Sequence, residues 1–232
     1  MKELFTILIT MHIAGGTVGL ISGTIAASVA KGKKLHLVSG KIFFYSMLIT
    51  AISALIISNL PEHHNVFLFA VGGFTLYLNC SGLRIVWLKR NVAKRAKLYS
   101  SIDYGIALFA LIFGIFLITL SFYDWLNQNA FSIVPGVFGT ICLWLSILDL
   151  KKMNSNLLIS KYWISSHISK MMGTMIAAYT AFLVVNIHIK QNWILWLLPT
   201  VIGSGLISYF IRKYAPVKKL NLPVDRQERK PR

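Results

Sequence analysis

Charge is scarce in this chain, and acidic charge scarcer still: charged residues make up 13% of 232, with 7 Asp or Glu against 24 Lys or Arg. Soluble domains carry roughly a quarter charged residues, so most of this chain is not built to meet water. Cysteine is nearly absent as well. Cys80 and Cys142 fall inside apolar runs and have no C-x-x-C partner, which argues against a redox dithiol, a disulfide framework and a cysteine zinc site; they read as small apolar packing residues. There is no H-x-x-x-H, no H-E-x-x-H and no carboxylate at helical spacing from a histidine within the runs, so a membrane zinc hydrolase has little support. The last apolar run holds no lysine for a Schiff base, which disfavours retinal. No internal repeat is evident.

Carboxylates are also missing from the middle of every run. Asp103 and Asp149 sit at run ends, Glu3, Glu62 and Asp124 at one boundary, and Asp225 and Glu228 in the C-terminal tail. Ion-coupled transporters place ionisable or unwound sites near the bilayer midplane, so this pattern weighs against them.

What remains is apolar: 56% of residues, gathered in runs of about 20, the length that crosses a bilayer. Seven spans are expected, at Leu4 to Val29, Ile42 to Leu60, Val66 to Leu88, Ile102 to Phe122, Phe131 to Leu150, Ile164 to Ile187 and Trp193 to Ile211. The expected fold is therefore an all-α, seven-helix membrane bundle over residues 1–212, followed by a basic, flexible tail at 213–232.

Basic and nearly uncharged connections alternate. The first, third and fifth connections and the tail carry 4, 5, 3 and 8 basic residues, whereas the other side carries only Lys2 and Lys190. Short flanking loops rich in Lys and Arg stay in the cytoplasm, which predicts the N-terminus outside and the C-terminus inside. The same rule accounts for the net charge of +17, so anionic lipid headgroups are the expected partner and nucleic acid is not. Lys2 before an apolar run ending in Ser28, Val29 and Ala30 imitates a signal peptide. The run is about twice the usual length, however, and the heavier positive charge follows it. The segment is expected to stay, and His12 with it.

That histidine lies in "MHIAGGTVGLISG". At about 100° per residue, His12, Gly16, Gly19 and Gly23 share one helix face, with Gly15 close by. Gly15, Gly19 and Gly23 make two G-x-x-x-G steps, a helix-packing seam. The sharper alternative is a flat face for a planar cofactor, with His12 as an axial ligand to haem iron. The remaining histidines fall in two layers: His63, His64 and His188 at the outer boundary, His36 and His167 at the inner one. A bis-histidine site needs two imidazoles at one level on different helices. His36 with His167 meets that condition, and His12 with His188 or His64 meets it only if His12 is shallow. Arg84 and Asp103 are expected to pair across the third and fourth helices as a structural contact.

The segments "MHIAGGTVGLISG", "KGKKLHLVSGKIF", "SSIDYG" and "HISKMMGTMIAAYTAFLVVN" together resemble a family of bacterial multi-pass membrane proteins of unknown function. The resemblance runs from about residue 4 to 212 and singles out His12, His36, Asp103 and His167; it implies the bacterial inner membrane but no activity. In that pattern a basic residue follows the loop histidine, where this chain has Leu37. A fainter likeness, over barely 40 residues, is to transmembrane b-type cytochromes, which also place a histidine in one helix and another at the start of the next after a basic loop.

The favoured expectation is a haem b protein that passes electrons from a quinol or cytoplasmic donor to an outer acceptor, which would make it a membrane oxidoreductase. The rivals are a small-solute or ion transporter with His12 and the glycine seam along its path, and a scaffold without chemistry of its own.

Overall fold

A computed structural model describes residues 2–91, 99–129, 132–155, 159–190 and 193–215. They form seven helices: α1 Lys2–Ser28, α2 Lys34–Ile57, α3 Val66–Asn91, α4 Ser101–Leu126, α5 Ile133–Met153, α6 Ile159–Asn186 and α7 Trp193–Tyr214. Each is long and apolar enough to cross a membrane, and in lipid a helix satisfies its own backbone polar groups, which is why such runs take no other form. The tail from 216 onward and most of the basic third connection lie outside the described residues.

Helix α2 begins eight residues before the expected span. Hydropathy marks only the part of a helix that lipid can cover, whereas Lys34, His36 and Lys41 have no reason to break helical geometry at its wet end. His36 is therefore a helical residue and not a loop residue. α6 likewise starts five residues early, which leaves Lys170 roughly 17 Å along the axis from Ile159.

The outer faces are apolar, with Ile7, Ile13 and Ile21 of α1, Ile112 of α4 and Val201 of α7 all exposed. Helix α3 is the hub. It packs on α2, α4, α5 and α6, and α1 bridges α2 to α6, so α1, α2, α3 and α6 close a ring of four. The α4–α5 pair leans on α3, and α7 on α6. The buried core between α3, α4, α5 and α6 is built from Ala70, Phe74, Leu78, Ala110, Leu117, Cys142 and Ala177.

Small residues set the spacing. A Cβ on Gly19 would lie 2.6 Å from Met47 Sδ, and one on Gly23 would lie 2.7 Å from the Phe43 ring. The glycine face of α1 is thus spent on packing against α2, so a solute path or a macrocycle along that face is displaced by these side chains. A backbone-to-backbone approach, absent from the sequence reading, joins α4 to α5, where a Cβ on Gly139 would meet the Gly114 carbonyl at 2.9 Å and the Ile118 nitrogen at 3.0 Å.

Candidate functional site

At the end of the bundle that carries the basic connections, α3 contributes Tyr77, Ser81 and Arg84, α4 Asp103, α5 Asp149 and Lys152, and α6 Lys170. Four of these make one network. The Tyr77 hydroxyl donates to Asp149 Oδ2 at 2.7 Å, Lys170 forms an ion pair with the same carboxylate, and the Lys170 ammonium also donates to Ser81 Oγ at 2.9 Å. Asp149 and Lys170 are 9% and 8% exposed. Each charge alone would cost several kcal/mol to hold away from water, so each requires the other. Among the described residues α5 and α6 each pack mainly on α3, and the long lysine side chain reaches from one to the other.

Beside this lies a second cluster. Arg84 Nε donates to Asp103 Oδ1 at 2.8 Å and a terminal nitrogen donates to Oδ2 at 2.9 Å, a two-pronged contact. Asp103 also accepts the Ser100 backbone N–H at 2.8 Å, closing a capping box at the start of α4. The Arg84–Asp103 pair thereby ties the first turn of α4 to α3.

Between the two clusters is a cavity of about 40 Å³, lined among others by Ser81, Arg84, Asp103, Asp149, Lys152 and Lys170. That volume holds roughly three water-sized groups. Tyr99, Tyr162 and Ser166 also line it, and the two tyrosine hydroxyls are bonded to each other.

The histidines form a different pattern. Nδ1 of His12 lies 3.0 Å from the Thr50 carbonyl, Nδ1 of His36 lies 3.0 Å from the Ala26 carbonyl, and Nδ1 of His167 lies 2.9 Å from the Gly82 carbonyl. A carbonyl only accepts, so Nδ1 carries the proton in each ring and the neutral form leaves Nε2 as the lone-pair nitrogen. Carbonyl-anchored imidazole is the arrangement metal-ligating histidines adopt; it also serves plain interhelical bonding. His36 from α2 and His167 from α6 are near enough to feel each other's charge. His12, bonded two turns before the end of α2, is not brought level with His64 and His188, which are exposed in connections at that end. His63 stacks on Phe5 with ring centres 3.7 Å apart.

For haem, the donor chemistry of His36 and His167 fits. Gly40, one turn beyond His36, has open space where a Cβ would be, whereas the position beside Gly82 is filled by Met171. Among the described residues no three or more His, Cys, Asp or Glu side chains gather as a metal-binding group. Lys31, in the α1–α2 connection, donates to the Ala26 carbonyl at 2.9 Å; burial, and then the neighbouring Lys213, hold its ammonium below the ordinary lysine pKa.

The sequence reading missed the Asp149–Lys170 network. Its signal was present, since Lys170 lies well inside the α6 sequence and an intramembrane charge demands a partner. The choice among Asp103 and Asp149 needed the three-dimensional arrangement.

Fold and site together define a polytopic α-helical membrane protein with a buried charge network at its basic end. No protein-family model, curated protein or solved structure matches the chain, so the family and cytochrome likenesses rest on the quoted segments alone.

Proposed function

We propose that the chain passes a small polar solute or ion across the bilayer, with the cavity as its binding site and Tyr77, Asp149 and Lys170 as the groups that hold or release it. The observation that carries this is an opposite-charge pair, buried among four helices and bordering open space. Apolar side chains of similar volume would hold the helices as well as a buried ion pair does. Charges beside a cavity do what apolar groups cannot, which is to stand in for the hydration shell of a charged solute. With the basic connections in the cytoplasm, the cavity belongs to the cytoplasmic half.

The test is flux into proteoliposomes carrying dyes for protons, alkali cations and small anions. Vesicles with the protein are expected to pass at least one of these at about tenfold or more above empty vesicles. Tyr77→Phe removes one hydroxyl, worth about 1 kcal/mol of stability, and is expected to leave the protein folded with flux reduced by about tenfold. Vesicles no leakier than empty ones to the whole panel would overturn the reading.

A second reading, haem b held between His36 and His167 in an electron-transfer protein, is favoured by the anchored imidazoles and the open surface at Gly40. A sample purified after expression with added haem is then expected to show a Soret band that shifts on dithionite reduction and is lost in His36→Ala and His167→Ala. A colourless preparation would sink it.

A further inference from the structure

We infer that the cavity takes a small monovalent anion, with Lys152 as its principal charge. The inference takes its site from the transport reading, so its test is binding and not flux.

The argument is charge balance. Arg84, Lys152 and Lys170 line the cavity against two carboxylates, Asp103 and Asp149, leaving one positive charge in excess. Asp103 is engaged through both oxygens, and Asp149 through Oδ2, which takes both of its partners. Asp103 takes two Arg84 nitrogens, the Ser100 N–H and the Ser100 hydroxyl, while Asp149 takes Tyr77 and Lys170. Lys152 is left over: among the described residues no carboxylate pairs with it. Its ammonium has a long contact of 3.4 Å to Ser166 Oγ and sits 5.7 Å from the Tyr162 ring centre. It is also within electrostatic range of Lys170, like charge facing like charge.

Two ammonium groups lining one cavity repel, and an anion placed between them neutralises the excess. The tyrosine pair adds a donor. One hydroxyl of Tyr99 and Tyr162 donates to the other, and the acceptor's own hydrogen remains for a ligand. Space for roughly three water-sized groups suits a halide, nitrate or formate better than a bulkier anion.

The experiment is thermal unfolding of the full chain in detergent, titrated at constant ionic strength with sodium nitrate or sodium formate, against sodium butyrate and sodium gluconate as bulkier anions. Nitrate or formate is expected to raise Tm saturably, as a ligand bound only by the folded state must, and butyrate and gluconate are not. Lys152→Met is expected to weaken the anion's apparent affinity by about tenfold or more while being no less stable than wild type in gluconate, because it removes a repulsion. Lys152→Arg keeps the charge and is expected to bind within a few-fold of wild type. Nitrate and formate behaving like gluconate, or Lys152→Met binding them as wild type does, would overturn the inference. Saturable binding without vesicle flux would uphold the anion site and overturn the transport reading.

Discussion

Replacing Lys170 with methionine while Asp149 remains is expected to cost about 3–5 kcal/mol of stability, the penalty for stranding a buried charge. Asp149→Leu alone should cost a similar amount, because it strands the lysine. The double variant, Lys170→Met with Asp149→Leu, is expected to recover most of the loss, since neither charge is left to be desolvated and the apolar pair fills similar space. Tyr77 tempers the first case: its hydroxyl, 2.7 Å from Asp149 Oδ2, still solvates the carboxylate, so Lys170→Met should sit towards the lower end of the range. Unfolding of the four proteins in detergent completes a double-mutant cycle, and a coupling of about 2 kcal/mol or more is expected. Additive single effects would mean that the two groups reach water independently.

Gly139→Ala is expected to be among the most damaging single-methyl additions in the bundle, at the upper end of the roughly 1–3 kcal/mol that overpacking costs. The reason lies in what the methyl would meet. At Gly139 the obstacles are the Gly114 carbonyl, the Ile118 nitrogen and Leu117 Cβ, all within 3.0 Å and none able to move without shifting α4 as a whole. At Gly23 the obstacle is the Phe43 ring, 2.7 Å away, which can turn aside. Gly23→Ala should therefore cost about 1 kcal/mol, although it stands in the more conspicuous glycine run. Close helix approach through small residues is what makes such seams strong in lipid, and the same unfolding assay ranks them. Equal costs at the two positions would mean that α4 and α5 stand further apart.

These contrasts show what the sequence could carry. The seven helices were legible because a bilayer imposes one length and one kind of surface on anything that crosses it, and runs such as Val66 to Leu88 state that length directly. The start of α2 was not legible. Its first turns, Lys34 to Lys41, are helical for backbone reasons and polar because they leave the hydrocarbon, and hydropathy reports only the second fact. The α1 glycines stood out by repetition, whereas Gly114 on α4 and Gly139 on α5 belong to no G-x-x-x-G run and become a seam only when the helices meet. The Arg84–Asp103 contact joins neighbouring helices in chain order. Asp149 and Lys170 lie on helices that, among the described residues, pack mainly on α3 and little on each other, and no spacing in the sequence encodes that. The histidines were the visible chemistry, yet the structure engages each of His12, His36 and His167 through a backbone carbonyl first.

The central claim is that the buried charges serve a solute and not merely the fold. The apolar double variant, Lys170→Met with Asp149→Leu, separates the two, because it is expected to fold about as well as wild type while lacking the charges. Reconstituted into vesicles at equal protein density, it should pass nitrate, formate and the other panel ions at about one hundredth of the wild-type rate or less. A folded double variant that carries the same ions at the wild-type rate would contradict the account, and would leave the network as a structural tie between α3, α5 and α6.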